Sequence, residues 1–185
     1  LFIRTLIAQS ARWPEVDRNL SPVDRLKLLG YGIPSEARAL DNSPQRITFV
    51  AENNIQPKKA HVYKIEIPAE LRMPGDAYRY RIEVSLAYKA KIRRTRRGTK
   101  SYVSAWADWV SSKIGEADTE FRARVTKYTE AEEASREDTE TIKWAIRERN
   151  DWGQVFGMKR NDSTLQKDWA FLNSYELPEH LSIAV

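Results

Sequence analysis

The sequence predicts a mainly β protein with helices: an antiparallel, jelly-roll-like β-sandwich that follows a helical segment. Two observations support this fold class. Residues 1–40 carry helical signals, and after the loop signal at residues 41–44 the apolar period drops to two. Several short strands separated by turn signals are typical of a sandwich. The length of 185 residues suits one domain, or one domain and part of another.

The first helix is predicted in "LFIRTLIAQSA", where only four of the first ten residues are polar. A helix that is apolar around most of its circumference must be covered on most sides, and burying each large side chain is worth about 1.5–3 kcal/mol. A polar link with Pro14 and Pro22 follows. Gly30 and Gly32 then predict a tight turn, and Pro34 predicts the start of a short helix that ends at Leu40.

Six runs predict strands with apolar residues at every second position. The run 80–88 is the most secure, because five apolar positions alternate with Arg81, Glu83 and Ser85. The runs are "RITFVAE" (46–52), "HVYKIEIP" (61–68), "YRIEVSLAY" (80–88), "TIKWAIRER" (141–149), "WAFLNSYEL" (169–177) and "LSIAV" (181–185).

Both ends of the sequence lie inside predicted elements, which indicates a piece of a longer chain. On this interpretation "LSIAV" is an open edge strand, and the isolated region is expected to be poorly soluble or dimeric, because an unpaired edge invites another chain. The alternative is that both ends are ordinary termini packed on their own core.

Two charged segments interrupt the strands. A helical insertion is predicted near residues 116–140, with Phe121, Val125 and Tyr128 at helical spacing and nine acidic residues. The run "KAKIRRTRRGTK" (89–100) holds seven positive charges, so the rest of the +5 chain carries −2. This locality disfavours nucleic acid as a partner, and a solvated loop that pairs with the acidic segment is the simpler interpretation.

No catalytic, cofactor-binding or metal-ligating residue is predicted. The chain lacks cysteine, which excludes thiolate chemistry without choosing a compartment, and His61 and His180 are its two histidines. No serine nucleophile elbow, metal-binding histidine pair or phosphate loop is present, and no apolar run is long enough for a membrane span. The polar cluster 158–169 is interpreted as a turn and a strand with a cross-sheet salt bridge, in preference to a ligand-binding loop.

The order of these motifs resembles subtilisin-like serine peptidases of bacteria. Residues 2–11, "GYGI" (30–33) and residues 35–40 resemble the last long helix, the short strand and the terminal helix of their catalytic domain. "RITFVAENNIQPKKAHVYKIEIPAEL", "IEVSLAY", "TIKWAI" and "LQKDWAFLNSYELPEHLSIAV" resemble the C-terminal extension that one group of these enzymes carries.

The resemblance implies that residues 1–42 are the helical end of a subtilisin-like α/β catalytic domain and that residues 46–185 are an accessory sandwich. Its Asp, His and Ser triad, with the serine in a Gly-Thr-Ser motif, would lie upstream of Leu1, so this chain alone is expected to be inactive. The expected partners are the rest of the catalytic domain, protein substrates and a second copy.

The alternative function is a non-catalytic binding module. The basic loop 89–100 or the loop 160–168 would then contact a protein, a glycan or a nucleic acid.

Overall fold

The computed structural model describes residues 1–15, 20–41, 46–72, 78–91, 105–130, 141–146 and 163–185. Helices and strands alternate irregularly along this part of the chain. The helices are α1 (Phe2–Ser10), α2 (Pro22–Leu29), α3 (Glu36–Leu40) and α4 (Asp118–Glu130); the strands are β1 (Val62–Glu66), β2 (Arg79–Ala87), β3 (Val110–Ser111), β4 (Leu165–Asn173) and β5 (His180–Ala184).

The described strands form two sheets. One has the order β1-β5-β3, with both neighbours antiparallel to β5, and the other pairs β2 with β4. Helices and antiparallel strands are therefore confirmed. The described part is a mixed structure, not a mainly β one, because its helices hold more residues than its strands.

The last strand lies in the middle of its sheet, which corrects the expectation of an open edge at "LSIAV". Ile183 of β5 faces Tyr63 of β1 on one side and Ser111 of β3 on the other. The register continues at Val185, which exchanges two backbone hydrogen bonds with His61, at 2.9 and 3.0 Å. Because β5 is paired on both sides, an unpaired edge at this strand no longer gives a reason to expect a dimer.

The chain forms two compact units, and each is assembled from separate stretches. The first unit comprises Leu1–Glu52, Glu83–Trp106 and Ile146–Asp168, and the second comprises Asn53–Ile82, Ala107–Ala145 and Trp169–Val185. These units do not follow the division into residues 1–42 and 46–185. That division stays a prediction about the origin of the two regions.

The second unit has a core that includes the predicted helical insertion. Phe121 and Val125 on α4 are buried with Val110 and Ala184, and Tyr128 packs partly against them. The predicted apolar stripe of this helix is therefore confirmed up to Glu130. Residues 131–140 lie outside the described part of the chain.

Two predicted strands are not strands where the structure describes them; residues 147–149 of the second lie outside the described residues. Residues 46–52 form no ladder, and Ile47 and Phe49 are exposed. Residues 141–146 form bends and turns, although Ile142, Trp144 and Ile146 are buried as the alternation predicts. The alternation thus identified which side chains face inwards, but not the hydrogen bonding of the backbone.

The predicted polar link contains a helix that the sequence interpretation missed. Helix α2 begins after Ser21, whose Oγ accepts a hydrogen bond from the Asp24 amide at 3.2 Å, and ends at Leu29, before the C-cap Gly30. A serine N-cap followed by proline is a strong start signal. The high share of charged residues around it obscured that signal.

Candidate functional site

The most unusual surface of the first unit lies at the start of α1 and includes its N-cap residue, Leu1. Leu1, Phe2, Ile3 and Ile7 are 55%, 49%, 72% and 52% exposed, respectively. We call these four residues the α1 surface. The apolar pattern predicted a helix covered on most sides, whereas within the described part of the chain these four residues are about half to three-quarters exposed.

The other end of α1 is held by a buried lysine. Lys167 of β4 is fully buried, and its Nζ donates to the carbonyl oxygens of Ala8 and Gln9 at 2.9 Å and of Ala11 at 2.5 Å. The last carbonyls of a helix have no partner within the helix and attract positive charge. Lys167 therefore serves as a C-terminal cap delivered by a neighbouring strand, and we call this arrangement the Lys167 anchor.

The ammonium group is also paired with a carboxylate. Lys167 Nζ lies 3.3 Å from Glu83 Oε2 of β2, and Glu83 Oε1 accepts a hydrogen bond from Arg12 Nε at 3.2 Å. A buried charge is tolerated when it is paired and hydrogen-bonded. The pair confirms the predicted cross-sheet salt bridge. Glu83 alternates with the apolar positions of its strand, yet its side chain is only 6% exposed.

The tight turn predicted from Gly30 and Gly32 is confirmed, and it packs against the end of α1. Arg12 and Ile33 exchange two backbone hydrogen bonds, at 3.1 and 2.9 Å. Gly32 has a φ of +97°, and a Cβ at this position would collide with the Arg12 carbonyl. Tyr31 between the glycines donates its hydroxyl proton to the Leu165 carbonyl at 3.1 Å. Glycine is therefore required at Gly32 by both conformation and space.

The short helix α3 is tied to the same place, and its predicted start after Pro34 is confirmed. Ser35 caps it by accepting from the Arg38 amide at 3.4 Å. Arg38 Nε donates to the Ser10 carbonyl at 2.6 Å, and Ser10 Oγ accepts from the Ser35 amide at 3.2 Å. Helix α1, the glycine turn and α3 thus form one hydrogen-bonded cluster.

A cleft with a volume of about 560 Å³ opens beside α1. Its walls are mostly apolar side chains of α1 and of the glycine turn, and Arg4 is the charged residue among them. The lining residues are Leu1, Ile3, Arg4, Ile7, Ala8, Ala11, Tyr31, Gly32, Pro34 and Leu165. An apolar cleft with one cation is suited to binding side chains, not to acid–base chemistry.

The two histidines do not form a catalytic arrangement. His180 Nε2 and Ser182 Oγ both approach Asp118 Oδ1, at 3.7 and 3.5 Å. In a catalytic triad the histidine lies between the serine and the aspartate, whereas here both groups contact the aspartate. His61 is a backbone partner of Val185, directly after β5. Within the described residues, no group of three or more His, Cys, Asp or Glu could hold a metal ion.

The two predicted ligand-binding loops are only partly described. Of the basic run, residues 92–100 lie outside the described residues, as do residues 160–162 of the other loop. Gln166, Lys167 and Asp168 belong to β4 and are fully buried. This corrects the alternative in which these three residues bind a ligand from a loop.

Comparison with known proteins identifies no family for this chain. None of the described helices is long and apolar enough to cross a membrane. No protein-family model matches this sequence, and neither a curated protein nor a solved structure is significantly similar to it.

Proposed function

We propose that this chain is the C-terminal part of a subtilisin-like serine endopeptidase. The observation that carries the proposal is the α1 surface: four large apolar side chains are exposed at the start of a helix whose other end is fixed by the Lys167 anchor. In the intact enzyme, residues 1–42 complete the catalytic domain and the α1 surface packs against its upstream part.

The energetics favour such a contact. Each large apolar side chain that becomes fully buried contributes about 1.5–3 kcal/mol. The α1 surface holds four of them. The anchor fixes the helix before contact, so less conformational entropy is lost on docking.

The role of this chain in the reaction is positional. The serine, histidine and aspartate of the triad belong to the upstream part, where the histidine removes the proton of the serine hydroxyl and an oxyanion hole stabilises the tetrahedral intermediate. This chain supplies the closing elements of the catalytic fold.

Residues 46–185 are the accessory region of this enzyme. We propose that its two sheets are the layers of a jelly-roll-like β-sandwich that stabilises the catalytic domain or presents protein substrates to it. The apolar residues at every second position of β2, Ile82, Val84 and Leu86, are the sequence pattern expected of a strand in such a layer.

A serine-directed fluorophosphonate tests the proposal on the full-length parent protein. The coding sequence upstream of Leu1 should contain a Gly-Thr-Ser motif within a few tens of residues, and the parent should label covalently. Substitution of that serine by alanine should abolish labelling, and residues 1–185 alone should not label. A parent with no Gly-Thr-Ser motif, or one whose labelling survives the substitution, would contradict the proposal.

A further inference from the structure

Arginine and aromatic side chains are interleaved across β2 and β4 in the second unit. Arg79 Cζ lies 4.4 Å from the ring centroid of Phe171, and Arg81 Cζ lies 5.0 Å from that of Trp169 and 5.6 Å from that of Phe171. These distances are within the range of cation–π contact. We call these four residues the Arg–aromatic face.

The outer end of this face is open to solvent. Phe171 is 45% exposed and Arg79 is exposed, whereas Trp169 is buried beneath Arg81. The neighbouring Tyr175 is 66% exposed, and its hydroxyl accepts a hydrogen bond from Asn173 Nδ2 at 2.9 Å. Two aromatic rings and an arginine are therefore held in place at the surface, and these residue types dominate binding energy in protein interfaces.

The charge of Arg79 is not neutralised within the described part of the chain, where no carboxylate forms an ion pair with it. The acid of the adjacent turn, Glu176, is engaged by the amide and side chain of Asn173, at 2.8 and 2.9 Å. Arg79 Cζ lies over the Phe171 ring, and within the described residues the N–H edge of its guanidinium makes no hydrogen bond. That edge has the geometry to bind a carboxylate through two parallel hydrogen bonds.

We propose that the Arg–aromatic face binds an acidic segment of a partner protein. A carboxylate of the segment pairs with Arg79, and an adjacent apolar or aromatic side chain packs on Phe171 and Tyr175. Single-stranded nucleic acid also stacks on aromatic rings, but its affinity depends on neutralising several phosphates, and this face exposes only one cation that pairs with no described carboxylate. The proposal does not depend on peptidase activity.

Fluorescence anisotropy with a labelled peptide tests this binding directly. The probe alternates Glu with Phe, and its control replaces every Glu by Gln. We expect the 185-residue chain to bind the Glu peptide. Its affinity for the Gln peptide should be about tenfold lower, in line with the strength of charge-assisted hydrogen bonds.

Three variants assign the site. Arg79→Gln should weaken binding about tenfold, and Arg79→Lys should weaken it nearly as much, because lysine keeps the charge but loses the planar, bidentate edge. The matched control is Arg122→Gln, which removes the same charge from the exposed face of α4, and it should leave the affinity unchanged within about twofold. The circular dichroism spectrum of each variant should match that of the parent chain.

Three outcomes of these measurements would overturn the proposal. Equal losses for Arg79→Gln and Arg122→Gln would indicate non-specific attraction by net charge. Full affinity in Arg79→Lys would exclude bidentate recognition. Tighter binding of oligothymidine than of the Glu peptide, lost in Arg79→Gln, would assign the face to nucleic acid instead.

Discussion

Helices α1 and α4 differ in how far their apolar side chains are buried. On α4, Phe121 and Val125 are 1% and 6% exposed, and the core of the second unit covers them. On α1, Ile3 and Ile7 are 72% and 52% exposed. The difference shows that α4 buries its apolar residues within the second unit, whereas α1 leaves Ile3 and Ile7 more than half exposed in the first.

The charged side chain that anchors each helix also comes from a different place: from the helix itself in α4, and from a strand in α1. Arg124 of α4 donates two hydrogen bonds to Glu116, at 2.9 and 2.7 Å, and one to the Ser111 carbonyl at 2.9 Å. Helix α1 has no acid in its first turn and no base in its last, and relies on Lys167 from a strand. Helix α4 therefore brings its own anchoring charge, and α1 receives one from a distant part of the chain.

The largest expected contrast is between two truncations. Phe121→Ala should destabilise the chain by about 3–5 kcal/mol, because it leaves a cavity in the core of the second unit. Ile3→Ala, at an exposed position, should change the free energy of unfolding by less than about 0.5 kcal/mol. Urea denaturation of the two variants measures both values. Similar losses in the two variants would remove the contrast between the helices.

Breaking the Lys167 anchor should cost nearly as much. Lys167→Met keeps most of the length of the side chain but leaves the Glu83 carboxylate and three carbonyls at the end of α1 without the ammonium, a loss of about 3–5 kcal/mol. The control is Lys64→Met, which removes a half-exposed ion pair to Asp118 at 3.7 Å and should cost at most about 1 kcal/mol. If Lys167→Met unfolds at the same urea concentration as the parent chain, the anchor does not stabilise α1.

The glycine turn offers a smaller test, because its two glycines differ in their surroundings. Gly30 has a φ of +57° and open space where a Cβ would lie, whereas at Gly32 a Cβ would collide with the Arg12 carbonyl. Gly30→Ala should cost about 1–2 kcal/mol in backbone strain, and Gly32→Ala should cost more. The midpoint of thermal unfolding ranks the two variants. The reverse order would show that Gly32 is not packed against Arg12.

The smallest effect is expected from pH. Burial alone raises the pKa of Glu116, but hydrogen bonds from Arg124 and from the Lys113 amide outweigh it, so the pKa lies below its ordinary value of 4.5. A carboxyl with a depressed pKa stabilises the fold above its unfolded-state pKa, and this contribution is lost as the pH falls through the folded-state value. Glu116→Gln should therefore reduce the difference in unfolding free energy between pH 7 and pH 3. An unchanged difference would mean that this pair is not a source of acid sensitivity.

Local patterns in the sequence predicted most of the elements. Period-two alternation identified β1, β2, β4 and β5, apolar helical patterns identified α1 and α4, and a proline start identified α3. The failures were non-local. Neither the central position of β5 nor the absence of a ladder at residues 46–52 follows from apolar spacing, because both depend on which strands pair.

The candidate site was less predictable than the fold. A salt bridge across the sheet was expected, but the capping of α1 by Lys167 joins residues about 160 positions apart and leaves no local signal. The α1 surface was visible only as excess hydrophobicity, since a sequence shows that a helix is apolar but not whether something covers it. The Arg–aromatic face is a pairing of alternate residues on two strands, which requires their register.

The contact proposed for the α1 surface is tested most directly by introducing a charge there in two contexts. Ile3→Glu should leave the free energy of unfolding of residues 1–185 unchanged within about 0.5 kcal/mol, because Ile3 is exposed there. In the full-length parent the same substitution buries a carboxylate at the contact with the catalytic domain and should reduce fluorophosphonate labelling at least about tenfold. The control Thr126→Glu on α4 should change neither quantity. Full labelling of the parent with Ile3→Glu would contradict the proposal that the α1 surface packs against a catalytic domain.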